Sequence, residues 1–402
     1  MTIGSDLREL EVPEHRAGFF DDLRDELAPR KARVTRPRLL LVAAAAAIIA
    51  GALAFSLTRG SEVATAAQVR AAVEHALAST GSISGVLVIN QHEAGGLTAR
   101  ARFVLSSTGA FRLANLGTEG QEVYDPARNT RTDSTRSELT RTTGLAAGPP
   151  DAEPELFRGG LVVAALAEMQ DSRVDNVTYD GHPAWLLRTS TGTPGEQVLI
   201  TVDRATGLPL DQRLLRDGHL TSEVRIEHAR VSATEARITQ PVPAPGQRVQ
   251  VTDLGFRRTS LADARNAAGY SPLVPKRLPH GFKLTHVVYA SLSQPTNCCN
   301  PRSRHVISLS YRRGFEQITV TTRLTGHNPS AWKDPFLFSG ATTGTSRVTF
   351  TGGALAGNGG YLYSEPDEIP HIWAVGPQLV VTVAGTVTRD DLLRVANSLT
   401  QR

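Results

Sequence analysis

The 402-residue chain is 40% hydrophobic and 20% charged, apolar enough for a packed core and not charged enough to stay disordered. Its 43 basic and 39 acidic residues leave a formal net charge of +4, too weak a balance to argue for a nucleic-acid partner. Two adjacent cysteines, Cys298 and Cys299, exclude a multi-disulfide scaffold and a four-cysteine zinc site.

Residues 1–29 hold eight acidic residues against three Arg. Within them Phe19, Phe20, Leu23 and Leu27 recur at helical spacing, either as a docking helix for a cytoplasmic partner or as an idle, marginal helix. Leu39–Thr58 is a run of twenty uncharged residues. As a helix it spans about 30 Å, one bilayer core. Arg30, Lys31, Arg33, Arg36 and Arg38 precede it and only Arg59 follows closely, which predicts a cytoplasmic N-terminus and extracytoplasmic domains. The small-residue site Ala64-Thr65-Ala66 leaves a cleaved signal peptide as the alternative, against which stands the length of the segment before the run. The expected organisation is a cytoplasmic tail (1–38), a single-pass transmembrane signal-anchor (39–58), a first outer unit (61–240) and a second (257–402).

In the first unit, Ala66–Ala78 puts Val69, Val73, Ala76 and Leu77 on one helical stripe. Strands are predicted at Ile83–Asn90, Ala99–Leu105, Ala110–Ala114 and Gln121–Tyr124, with one more exposed strand within Asn129–Thr143. Glu155–Met169 reads as an apolar helix interrupted by Gly159-Gly160. Val174–Thr189 is a hairpin about Asp180-Gly181, and the strands Leu210–Leu215 and Leu220–His228 pair about Asp217-Gly218. Gln197–Arg204 supplies the strand between them. The successive hairpins predict one antiparallel sheet with helices on a face, an α+β arrangement.

Residues 231–256 hold three Pro in their first part and read as the domain boundary. The second unit opens with a capped helix, Ser260 to about Ala268, and a Pro-rich strap, Pro272–Leu284. Strands follow at Thr285–Leu292, His305–Tyr311, Gln317–Thr322, Arg347–Phe350, Gly360–Tyr363, His371–Ala374 and Gln378–Ala384. A final helix is capped by Thr388, with Asp391 three residues on.

The run from Tyr179 to Val224 carries a hairpin, the turn Asp203-x-x-Thr206-Gly207-Leu208-Pro209 and a further strand pair, and it resembles the lipoprotein-carrier (LolA-like) superfamily. The strap PLVPKRLPHGFKL and the terminal DLLRVANSL helix resemble the smaller domain of the periplasmic sigma-E regulator RseB and its relatives. The order of parts is similar to that of RseB-type regulators, although RseB itself lacks a membrane anchor. The expected architecture is the transmembrane helix read from the apolar run, followed, as the resemblance implies, by a LolA-like curved antiparallel half-barrel with helices and a smaller α+β domain. It implies an extracytoplasmic sensor that relays an envelope signal to a sigma or anti-sigma factor through protein or lipid binding, or alternatively a tethered lipid or lipoprotein carrier. The tail does not match a zinc-type anti-sigma domain, having one His (His15) and no Cys.

No nucleophile elbow, H-E-x-x-H pair, P-loop or EF-hand loop occurs, so no enzyme activity and no cofactor are expected. Gly357–Gly360 reads as a β-turn, and Glu365, Asp367, Glu368 and His371 as a solvated loop rather than a metal site. Candidate lining for an acyl-chain cavity is Phe103, Leu105, Phe111, Leu113, Leu161, Leu166, Trp185 and Leu187. Alternation alone specifies their burial, so an ordinary core is the competing reading. Outside the membrane Cys298 and Cys299 form a vicinal disulfide, remain thiols or bridge between molecules, as a structural clip or a redox-sensitive element.

Overall fold

A computed structural model describes residues 64–92, 96–145, 166, 169, 172–191, 194–291, 305–325, 345–364 and 369–401. The tail, the apolar run 39–58, Leu161, Cys298 and Cys299, and Glu365, Asp367 and Glu368 lie outside the described residues. No helix among the described residues is long and apolar enough to cross a membrane.

The α+β expectation is corrected. Among the described residues 22 strands accompany three α-helices and one 3-10 turn, so the fold is mainly β with a large curved sheet. Polar alternation conceals several of the strands: Asn129–Thr143 holds two of them, Thr130–Ser134 and Glu138–Thr143, rather than one. Thr and Arg suit a pleated surface without leaving an apolar stripe to read.

The first sheet contains β1 (Ser82–Gln91), β2 (Leu97–Ser106), β3 (Phe111–Asn115), β4 (Gln121–Asp125), β5 (Thr130–Ser134), β6 (Glu138–Thr143), β7 (Arg173–Tyr179), β8 (His182–Ser190), β9 (Glu196–Asp203), β10 (Pro209–Arg216), β11 (His219–Ser232) and β12 (Arg248–Asp253). Their order is β12-β6-β5-β4-β3-β2-β1-β11-β10-β9-β8-β7. Two meanders, β1–β6 and β7–β11, thus meet where β1 pairs antiparallel with β11. The segment expected to be a boundary contains β12, which adds to β6 in parallel.

The register sorts side chains onto two faces. Ile83, Leu105 and Phe111 align across β1–β3, and Leu187 and Ile200 across β8–β9. Helix α1 (Ala66–Ser79), capped by Thr65 and Gln68, lays Val69, Val73 and Leu77 on this inner face at four-residue spacing. The opposite face carries an ionic lattice in which Arg225 pairs with Glu223 and Glu227, and Arg100 with Glu227.

The second sheet runs β13 (Arg257–Arg258), β15 (Lys283–Ser291), β16 (His305–Arg313), β17 (Glu316–Leu324), β21 (Leu379–Gly385), β20 (His371–Val375), β19 (Gly359–Tyr363), β18 (Thr345–Thr349). Helices α2 (Leu261–Ala268) and α3 (Arg389–Ala396) share its apolar core, with Ala264 and Ala268 from one and Leu392, Val395 and Ala396 from the other. The strap contributes β14 (Leu273–Pro275), paired with the terminal strand β22 (Leu399–Gln401).

Both sheets belong to one compact unit, Val63–Arg402. Their joint is the β16–β17 turn. Phe315 leaves the second sheet and is buried in the first core, 1% exposed, beside Leu77 and Phe111. Its N–H donates to the Leu77 carbonyl at 3.0 Å, supplying a partner to a carbonyl in the last turn of α1. At Gly314 (φ +58) a Cβ would stand 2.1 Å from that same oxygen, so the approach requires glycine. Arg313 and the buried Glu316 form a two-pronged ion pair beneath the turn. Nearby, Arg258 donates to the Ala127 carbonyl at 3.2 Å. His286 is held neutral there, pushed down to about 4 by burial and then by the guanidinium groups of Arg258 and Arg312.

Phe315→Ala should cost about 3–5 kcal/mol, the usual range for truncating a buried aromatic side chain. Because the side chain is carried by the second sheet but buried in the first core, calorimetry should show one unfolding transition for the wild type and two for the variant. One unchanged transition would contradict the joint.

Candidate functional site

The inner face of the first sheet brings the sequence-predicted residues together. Phe103, Leu105, Phe111, Leu166 and Leu187 are buried in one core with α1, and Leu113 and Trp185 are partly buried against it. Arg204 lies over the Trp185 ring, 5.7 Å from its centre.

The turn that carries the family resemblance shapes this face. The Asp203 carboxylate accepts from the Thr206 N–H at 2.7 Å and from its hydroxyl at 2.8 Å. The Gly207 N–H donates to the Asp203 carbonyl at 2.8 Å and Leu208 is buried. Gly207 (φ +70) then sits so close to α1 that a Cβ would lie 2.6 Å from the Ala72 carbonyl oxygen. Asp and Thr thus close the turn, Gly admits the helix, and Leu anchors the turn in the core.

Beside this turn lies a cavity of about 690 Å³. Leu210, Ile226, Ala229 and Val231 give it apolar lining, and Tyr179, Asp180, His182, Asp203, Thr206 and His228 polar groups. His228 (φ +54) occupies a bulge, where the β1–β11 register shifts between Ser84 and Val86. The bulge changes the phase of the strand. That places Ala229 and Val231 beside Ile226 on one cavity, although 226 and 229 differ in parity.

None of the seven candidates that lie among the described residues lines this cavity. The available signal was the break in alternation at Ile226–Val231, together with the Asp203–Pro209 turn. Among the described residues no three His, Cys, Asp or Glu side chains converge as a metal ion would require. An apolar wall with a polar rim suits an amphiphile: the chain displaces water from the wall while the head group keeps hydrogen bonds at the rim.

In the cavity lining, Tyr179 is pushed well above the usual phenol range, first by burial and then by the nearby Asp211 carboxylate. Asp211 is 1% exposed, with the Thr201 hydroxyl donating at 3.2 Å and Arg213 paired at 2.8 Å. Burial outweighs these partners and pushes its carboxyl up from 3.8 to about 6. A carboxyl whose folded value is raised binds its proton more tightly when folded, so it lowers stability above that value. Asp211→Asn should therefore raise the melting temperature at pH 7, by the equivalent of about 1–3 kcal/mol. The gain should fade as the pH drops through 6 and vanish below the ordinary 3.8. His286 acts in the opposite sense, its folded value being depressed, so its contribution is lost as pH falls from 6.5 toward 4. Comparing variant with wild type at each pH isolates Asp211.

No family model matches the chain, and no curated protein matches it in sequence. Solved structures similar to it include the Pseudomonas aeruginosa MucA/MucB complex, at 19% identity, covering 84% of this chain and 99% of that one with a TM-score of 0.29. Another is LprF from Mycobacterium bovis, at 13% identity over 44% of this chain and 97% of that one, TM-score 0.29. A LolA superfamily protein from Nitrosomonas europaea is similar at 11% identity over 39% of this chain and 74% of that one, TM-score 0.19.

Proposed function

We propose that the chain is a non-catalytic sensor of RseB type. In this reading it binds an amphiphile, a lipid or the acylated end of a lipoprotein, in the cavity beside Asp203–Pro209. It reports occupancy to a sigma or anti-sigma factor through the second sheet. A location outside the cytoplasm is part of the proposal and rests on the family resemblance.

One observation carries the reading. Helix α1 is gripped at Ala72 and Ala76 by the cavity's own turn, through Gly207, and at Leu77 and Ala78 by the second sheet's turn, through Gly314. A ligand that displaces Asp203 or Thr206 pushes on a helix whose next residues hold the joint. A binding-induced change requires different affinities for two arrangements, and such a shared rigid element supplies a means. A pure carrier has no need of this connection.

The test fills the cavity. Lipid extraction and native mass spectrometry of the full-length protein should find a bound amphiphile, and a fluorescent fatty-acid probe should compete with it. Ala229→Trp, projecting into the cavity, should cut probe binding at least tenfold, while Ala101→Trp, on the first sheet but not in the cavity lining, should retain it. Each insertion should cost about 1–3 kcal/mol of overpacking. No bound amphiphile and equal probe binding by all three proteins would refute the site. Acyl lipid recovered with no regulatory protein, in pull-downs that capture other partners, would favour the carrier instead.

A further inference from the structure

The first sheet ends in an edge that natural sheets ordinarily protect. All six residues of β12 are exposed, and among the described residues nothing pairs with its outer side. The strand RVQVTD contains no Pro and no bulge, and its only charges, Arg248 and Asp253, sit at its two ends, leaving the middle of the edge without the usual guards. Apolar side chains stand open there: Val249 is 47% and Val251 64% exposed, and Leu254, just after the strand, is exposed as well.

Hydrogen bonding fixes which residues face outward. The Arg248 N–H donates to the Ser137 carbonyl at 2.9 Å and the Leu254 N–H to the Thr143 carbonyl at 3.0 Å. The even-numbered residues therefore bond to β6, and Val249, Val251 and Asp253 direct their N–H and C=O groups away from the sheet. These same odd positions place both valines on one face.

We infer that β12 is a self-recognition strand, pairing antiparallel with β12 of a second copy about a two-fold axis at Gln250. In that register Val249 lies opposite the second copy's Val251 and exchanges both backbone hydrogen bonds with it. Four exposed valines then form one apolar patch across the axis. Arg248 faces the second copy's Thr252 and Asp253 its Gln247, so no like charges meet. Moving the axis to Val251 sets Val249 against an aspartate and loses the patch. Two-fold symmetry makes the contact isologous and closed, joining two sheets instead of building a filament.

The register is testable by cross-linking of the full-length chain carrying Cys298→Ser and Cys299→Ser. Gln250 meets its own symmetry mate as a non-hydrogen-bonded pair, with Cα atoms about 4.5 Å apart. This lies within disulfide range, so Gln250→Cys should oxidise to a covalent dimer. Thr252→Cys, remote from its own mate, should cross-link at least tenfold more slowly. Val251→Pro removes an outward N–H that β6 does not use, and Val249→Lys places a charge in the apolar patch. Either should shift sedimentation from dimer to monomer while the far-ultraviolet circular dichroism of the folded chain stays unchanged. A monomeric wild-type chain, equal cross-linking at 250 and 252, or a dimer that survives both edge variants would overturn the inference. So would a monomer whose edge is instead occupied by a strand of another protein.

Discussion

Helix α1 is held by two backbone approaches that only glycine permits, and the rest of the molecule is arranged around them. Gly207 brings the β9–β10 turn against Ala72, and Gly314 brings the β16–β17 turn against Leu77. Between them the helix buries Val69, Val73 and Leu77 on the concave face. A fourteen-residue helix is marginal alone in water, so its stability comes from these tertiary contacts. The last-turn carbonyl that accepts from Phe315 belongs to the same logic: a helix end left without a partner becomes the place where another domain attaches.

This arrangement separates two kinds of packing. Candidate residues such as Phe103, Phe111 and Leu187 are fully buried and hold the sheet to the helix. The cavity lies further along the sheet, at the bulged part of β11 and the two adjacent turns. Filled core and open volume meet on one surface, where Ile226 belongs to the core and also lines the cavity. The charged outer face behaves differently. Exposed pairs such as Arg225 with Glu223 contribute little each. Asp211, buried with its partners, costs stability that the apolar face must offset.

What was legible in the sequence follows the range of the forces involved. The hairpins at Asp180-Gly181 and Asp217-Gly218 and the helices capped by Ser260 and Thr388 were readable because a turn or a cap is decided by neighbouring residues. β12 was not, since a parallel partner more than a hundred residues away determines it and its own alternation is weak. Nor was Phe315, whose position in the β16–β17 turn says nothing about burial until another domain's helix is placed beneath it. The cavity escaped because periodicity selects faces, whereas His228 shifts the face in mid-strand. The mainly-β class was missed for a related reason: Thr130, Thr132 and Ser134 are buried polar strand residues, invisible to an apolar pattern.

Position along the first sheet then assigns different roles to its parts. The centre, where β1 meets β11, carries the bulge that lines the cavity. The β12 end is several strands away, beyond β2 to β6. Association there leaves the concave face open, because edge-to-edge pairing extends a sheet in its own plane and covers neither surface. Backbone hydrogen bonds along that line are nonetheless continuous from strand to strand. An edge pair tolerates only a limited twist before its hydrogen bonds lengthen. The proposed cavity and the proposed edge pair thus lie on one continuous hydrogen-bonded sheet.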